Sequence, residues 1–147
     1  MATSTMIERA PWHHWPMAIL TMLFYLLAAL DYVLSTLGIG AYTENFPAEF
    51  VAFVREMPVW LDVVWAVGVF GGLLGGYLLF RRNRRAVLFL FASVAIFAFL
   101  TVWLSLFVSP TIFSLAGLEG FFAMAGSTAI ALLFYLYARW ERTEHKL

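Results

Sequence analysis

Three acidic residues lie inside or beside long apolar stretches of this chain, and they are the side chains best suited to chemistry. Asp31 lies past the middle of one apolar stretch, Asp62 near the start of the next, and Glu119 near the start of the last. An ionisable side chain within a membrane indicates a function by default, and burial favours its neutral form. A protonatable Asp31 that faces Asp62 or Glu119 could couple proton uptake to solute movement.

Each acid also has a structural interpretation. Asp31 shares a predicted helix face with Phe24 and Ala28, which turns it toward the interior of a bundle. There a single hydroxyl group could hold its carboxylate. The candidate hydroxyl partners are Tyr32, Ser35 and Thr101.

The other two acids are near predicted helix starts. There the helix dipole favours a negative charge, so Asp62 and Glu119 need no further role. Arg55 is the only base predicted on their side of the membrane. A buried salt bridge would therefore require Arg55 to fold inward.

Five glycines give the second apolar stretch a smooth surface. Gly68, Gly72 and Gly76 form two consecutive G-x-x-x-G spacings, and Gly71 and Gly75 broaden the same face. Such spacing lets another helix backbone approach closely. The partner helix could belong to the same chain or to another subunit, and a hinge is a third interpretation.

The remaining residues form no grouping that is typical of an enzyme active site. The chain has no cysteine, which excludes disulfides, thiolate metal sites and thiol nucleophiles. His13 and His14 are adjacent, so they do not share a helix face; beside Trp12 and Trp15 they are interpreted as an interfacial anchor. There is no His–Asp–Ser grouping and no phosphate loop. The sequence predicts no enzyme activity, no metal and no cofactor.

The composition identifies the solvent of the apolar stretches. Hydrophobic residues make up 63% of the chain and charged residues only 12%, against about a quarter charged in a soluble domain. Residues 86–118 contain no charged side chain. Since a spanning helix needs about 20 apolar residues, these stretches predict an all-α membrane protein with a single four-helix transmembrane domain. The predicted spans are residues 17–39, 59–80, 86–108 and 116–138.

Basic residues predict the orientation. All of them but Arg55 fall before the first span, between spans two and three, or after the fourth. The positive-inside rule then places both termini in the cytoplasm. The formal net charge is zero, so nothing invites a nucleic acid. The expected partner is the lipid bilayer.

The segment between the first two spans predicts a short amphipathic helix at the outer surface. Asn45 could cap it, with Pro47 in its first turn. Its apolar stripe comprises Phe46, Phe50, Phe53, Val54 and Met57. The helix could lie flat on the lipid or form a lid over the bundle.

Several short motifs resemble a family of small bacterial four-helix membrane proteins commonly named sugar transporters. They are Asp31-Tyr32-Val33, Ala41-Tyr42, Asn45-Phe46, Pro58-Val59-Trp60, the run from Trp65 to Gly72, and Leu78-Leu79 before a basic turn. The resemblance covers about residues 17–110, and its most specific part is the run from Trp65. It implies a bacterial inner-membrane location and four spans, and it draws attention to Asp31, Trp60, Trp65 and the glycines of the second span.

Two functions from different classes follow. The first is a small transporter of the sugar-transporter type, which moves a solute as a homo-oligomer with Asp31 as the coupling acid. The second is a non-catalytic accessory subunit that packs against a larger membrane-protein partner. The name of the family favours the first function. The second requires no catalytic residue, and the sequence shows none securely.

Overall fold

The computed structural model describes residues 10–144 and 147, and within them every regular element is a helix. Four helices are long and apolar enough to cross a membrane, which makes the chain a helical membrane bundle. The elements are α1 (His14–Thr36), α2 (Gly40–Thr43), α3 (Ala48–Arg55), α4 (Val59–Phe80), α5 (Ala86–Leu106) and α6 (Ile112–Thr143).

The observed helices and the predicted spans differ mainly at their ends. α4 has the bounds of the second span, and α5 ends two residues before the third. α1 is shifted toward the N-terminus by three residues, and α6 extends beyond the fourth span at both ends. Near its start α6 is interrupted at Gly117, whose φ of 64° and ψ of −164° are not helical. Glycine adopts this positive φ without strain.

The long helices pack in the order α1, α4, α5, α6, each against the next. Close backbone approach between α1 and α6 is sparse, so the four helices form an open ring. The short helix α3 touches both α1 and α6 and covers the gap at one end. We call this gap the α1–α6 seam.

Both ends of the described chain lie at the same end of the bundle. His14, at the start of α1, contacts Glu141 in the last turns of α6. Arg84, in the turn between α4 and α5, donates a hydrogen bond from Nε to the main-chain oxygen of Leu147 at 3.0 Å. We call this end the arginine end, and the opposite end, covered by α3, the lid end.

α1 ends at the lid end in a glycine turn. Gly38 has a φ of 63°, and the Ile39 amide donates to the Leu34 carbonyl, the pattern of a Schellman cap. The prediction that Asn45 caps the next helix was wrong. Asn45 donates instead to the carbonyls of Ala41 and Tyr42, because α2 ends at Thr43 and its last carbonyls lack partners within the helix.

The outward faces of the bundle are apolar. Large hydrophobic side chains on all four long helices are exposed, including Leu27, Val67, Leu88 and Phe122. In water so much exposed apolar surface would drive association, whereas lipid accommodates it. The core facing inward is small and is centred on Tyr25, Val69 and Leu90.

Candidate functional site

A cavity of about 550 Å³ occupies the lid-end half of the bundle. All four long helices line it, and apolar residues of the loop and of α3 roof it. Six aromatic side chains take part in the lining: Phe24, Phe46, Phe50, Phe53, Trp65 and Phe97. All five residues of the apolar stripe predicted for the segment between the first two spans line the cavity.

Among the described residues that line this cavity, Asp31 is the only one with an ionisable side chain. It is partly buried, and its face of α1 looks into the bundle, as the helical spacing predicts. Its carboxylate accepts a hydrogen bond from the hydroxyl of Tyr42 in α2. The candidate partners Tyr32, Ser35 and Thr101 were wrong, because α2 folds back over the end of α1 and brings in a hydroxyl 11 residues away.

Tyr42 remains a hydrogen-bond donor over the whole physiological range. Burial, and then the hydrogen bond and charge of Asp31, raise the pKa of Tyr42 to about 12. The phenol therefore keeps its hydrogen on Asp31, while the second carboxylate oxygen of Asp31 has no described partner. That oxygen is free to accept a proton or a hydrogen bond from a ligand.

Hydroxyl groups add a small polar patch to the apolar lining. Ser35 lies one turn beyond Asp31 on α1, and Ser127 lies on α6; neither hydroxyl bonds to another described residue. Thr101 and Thr128 bond to each other at 3.0 Å across α5 and α6. The cavity thus offers one acid and a few hydroxyls in an otherwise apolar chamber.

The structure separates the three predicted acids. Asp62 does not line the cavity; its carboxylate accepts a hydrogen bond of 3.0 Å from the Tyr32 hydroxyl, which ties α4 to α1. Glu119 is exposed on α6 and bonds to no other described residue. Arg55 is exposed and packs against Gly38 rather than against an acid. Only Asp31 therefore belongs to the cavity.

The glycine face of α4 packs within the chain at four of its five positions. A Cβ at Gly72 would overlap the Tyr25 ring of α1, and one at Gly76 would lie 3.3 Å from Met22 of the same helix. Gly68 and Gly75 face α5. A Cβ at Gly68 would lie 2.6 Å from the side chain of Ile96, and one at Gly75 would lie 2.9 Å from that of Leu90. Gly71 has no such neighbour within 4 Å.

Toward the arginine end, aromatic rings close the cavity. Phe24 of α1 and Phe134 of α6 meet across the seam with their centroids 5.7 Å apart. Tyr25 and Phe97 lie beside them at 6.0 Å. These rings form an aromatic layer between the cavity and the arginine end.

Beyond this aromatic layer lies a buried polar pair that the sequence did not reveal. His14 and Glu141 both have fully buried side chains, and Nδ1 of His14 lies 2.8 Å from Oε2 of Glu141. The interpretation of His14 as an interfacial anchor was wrong, because its side chain is fully buried. The pair was missed because its members lie 127 residues apart.

Helical spacing carried a signal for this pair. Glu141 continues the buried stripe of Ala131, Phe134 and Ala138, and His14 begins the buried stripe of Ala18, Thr21 and Tyr25. A polar residue that falls on a buried stripe requires a partner from a neighbouring helix. Following both stripes to their ends would have marked His14 and Glu141 as partners.

Within residues 10–144, no group of three His, Asp or Glu side chains is placed to hold a metal ion. No family model matches this chain, and no curated protein or solved structure is significantly similar to it. The resemblance to the sugar-transporter family thus stays a prediction. The function has to be argued from the geometry of the cavity.

Proposed function

We propose that the protein binds a small, mainly apolar solute in the lid-end cavity and moves it across a bacterial inner membrane. The cavity of about 550 Å³, with Asp31 as its only ionisable lining residue, is the observation that carries this proposal. Small-molecule binding sites are typically cavities of this volume, with a mainly apolar lining and a few polar groups.

The lining favours one chemical class of solute. A sugar would lose the hydration of many hydroxyl groups, and an apolar wall offers few replacements. An apolar body with one cationic or hydrogen-bond-donating group suits the lining better. The aromatic rings attract a cation through their faces, and Asp31 neutralises its charge. We therefore assign the solute to the class of amphipathic organic cations.

Asp31 can couple this solute to protons. Its free carboxylate oxygen accepts either a proton or the solute's cationic group, and the two compete for the same charge. Proton arrival would release the cation, and cation arrival would release the proton. Tyr42 holds the other oxygen throughout, which keeps the carboxylate aimed at the cavity.

The same proposal includes the orientation and the assembly. The arginines of the turn and of α6 lie at one end, which supports a cytoplasmic arginine end by the positive-inside rule. Four helices give thin walls to a transport path, so a homo-oligomer is expected. Gly71, at which an added Cβ would meet no described atom within 4 Å, offers a place for a second copy.

The accessory-subunit alternative also has an observation in its favour. Tyr42 already satisfies one oxygen of Asp31, so the acid could serve only to fix α2 on α1. In that case the protein would be extracted in mild detergent together with a larger membrane protein at a fixed ratio. Mass spectrometry of the extract measures this directly.

Uptake of ethidium, an aromatic cation, into proteoliposomes tests the transport proposal. With an imposed proton gradient, the protein should accelerate uptake, and Asp31→Asn should reduce it at least about tenfold because the neutral amide cannot exchange a proton for a cation. Glu119→Gln, which removes an exposed acid off the cavity, serves as the matched control. Equal uptake by Asp31→Asn and the unchanged protein would remove Asp31 from the mechanism.

A further inference from the structure

The arginine end of the α1–α6 seam is held by a hydrogen-bonded chain of four side chains. Glu141 receives bonds from His14 at 2.8 and 3.0 Å and from the Tyr137 hydroxyl at 2.7 Å. The same hydroxyl lies 2.7 Å from Nδ1 of His13. Within this hydrogen-bonded chain, His14 and Glu141 are fully buried, whereas His13 and Tyr137 are only partly buried.

The donors in this chain follow from counting hydrogens. Tyr137 has one hydroxyl hydrogen and donates it to Glu141, so the His13 contact requires a hydrogen on Nδ1 of His13. An ionised Glu141 has only acceptors, so Nδ1 of His14 also carries a hydrogen. This leaves Nε2 of His14, which is buried and has no described partner. This nitrogen and the carboxylate of Glu141 itself are the two places in the buried pair where an additional proton can bind, and in either place it makes the pair neutral.

Charge decides what that proton does. Without it, neutral His14 beside ionised Glu141 leaves one uncompensated negative charge in a fully buried site, which is strongly unfavourable. With it, the imidazolium and the carboxylate form a neutral pair. Among residues 10–144, no arginine pairs with Glu141: Arg84, Arg139 and Arg142 line a separate groove between α5 and α6, and Arg81, Arg82 and Arg85 lie in the α4–α5 turn. On α4, Phe80 packs against Trp15, the residue that follows His14.

We propose that the His14–Glu141 pair is a proton-binding site that closes the arginine end of the α1–α6 seam when it is protonated. Loss of the proton leaves a net negative charge in a fully buried site, so the seam opens there and admits water. His13 and Tyr137 connect the pair to the surface and give the proton its path. As a gate for the solute this site rests on the proposed function, but its proton dependence does not.

A single cysteine can report on the seam because the chain contains none of its own. Ala18→Cys places a thiol one turn from His14 on the same buried face of α1, where the alanine is fully buried. Its rate of alkylation by N-ethylmaleimide is divided by the rate in the unfolded protein at the same pH. This ratio removes the ionisation of the thiol and measures the opening of the seam. No solute is needed, so failure of the transport assay leaves this test intact.

The expected result is a ratio that rises about tenfold or more between about pH 6 and about pH 9, because a buried charge without its partner shifts an opening equilibrium by at least a decade. In Glu141→Gln the ratio should stay low at every pH, since no charge remains. In His14→Gln the dependence of the ratio on pH should change, since the proton can then bind only to the carboxylate of Glu141. Glu144→Gln, which removes an exposed acid at the same end, should behave as the unchanged protein.

Two results would overturn the proposal. One is a ratio that does not change with pH in the otherwise unchanged protein, which requires no further variant to fold. The other is the same pH dependence with His14→Gln as without it. If Glu141→Gln gives no folded protein, the unchanged chain and His14→Gln together still decide the question.

Discussion

Gly72 of α4 and Tyr25 of α1 lie in direct contact, and the tyrosine ring occupies the space that a Cβ at Gly72 would need. Tyr25 is fully buried and packs on Phe97 and Phe24. Because Gly72 has no side chain, the fully buried ring of Tyr25 fits against its backbone. This contact fixes the separation of α1 and α4.

Gly72→Ala should therefore lower the free energy of unfolding by about 1–3 kcal/mol, because the added methyl group displaces a buried ring. Gly71→Ala is the matched control one residue away. It meets nothing within 4 Å and should be stabilising by about 0.5–1 kcal/mol through helix propensity. Unfolding in sodium dodecyl sulfate measures both. A loss of oligomer in Gly71→Ala would instead assign Gly71 to a contact between subunits.

Tyr42→Phe removes the donor that holds Asp31. The variant should lose up to about 3 kcal/mol of stability, the range for hydrogen bonds to charged groups. Tyr77→Phe, whose hydroxyl lies on an exposed side chain of α4, should change stability by less than about 0.5 kcal/mol. Equal stabilities of the two variants would show that the Tyr42–Asp31 bond does not hold α2 on α1.

The stability of the protein at alkaline pH should depend on the same Tyr42–Asp31 hydrogen bond. Folding raises the pKa of Tyr42 from 10.0 to about 12, so the folded state favours the protonated phenol. The resulting stabilisation is complete below pH 10 and declines as the pH rises from 10 to about 12. The difference in stability between the unchanged protein and Tyr42→Phe should follow this course. A difference that disappears well below pH 10 would assign the effect to another group.

The orientation is testable because single cysteines can be introduced into a chain that has none. Asn83→Cys marks the turn at the arginine end, and Glu56→Cys marks the exposed end of α3 at the lid end. A membrane-impermeant maleimide added to intact bacterial cells should label Glu56→Cys and leave Asn83→Cys unlabelled until the cells are opened. Labelling of Asn83→Cys alone in intact cells would invert the orientation.

The sequence predicted some site features through helical spacing alone. The face that Asp31 shares with Phe24 and Ala28 placed it toward the bundle interior, where the cavity lies. Spacing could not give the partner of Asp31, because Tyr42 reaches it only after the chain turns at Gly38. The roles of Asp62 and Glu119 likewise depended on which helix each would face.

The sequence by itself determined the solvent of this protein, the number of its long helices and, within a few residues, their ends. These follow from local composition, because lipid offers no partner for an unpaired backbone group. A long apolar stretch therefore pairs its own backbone groups by forming a helix. Only the tertiary structure decided that α1 and α6 leave a seam, that a cavity forms there, and that His14 meets Glu141. Such contacts join residues more than a hundred positions apart, and their geometry depends on how the helices pack.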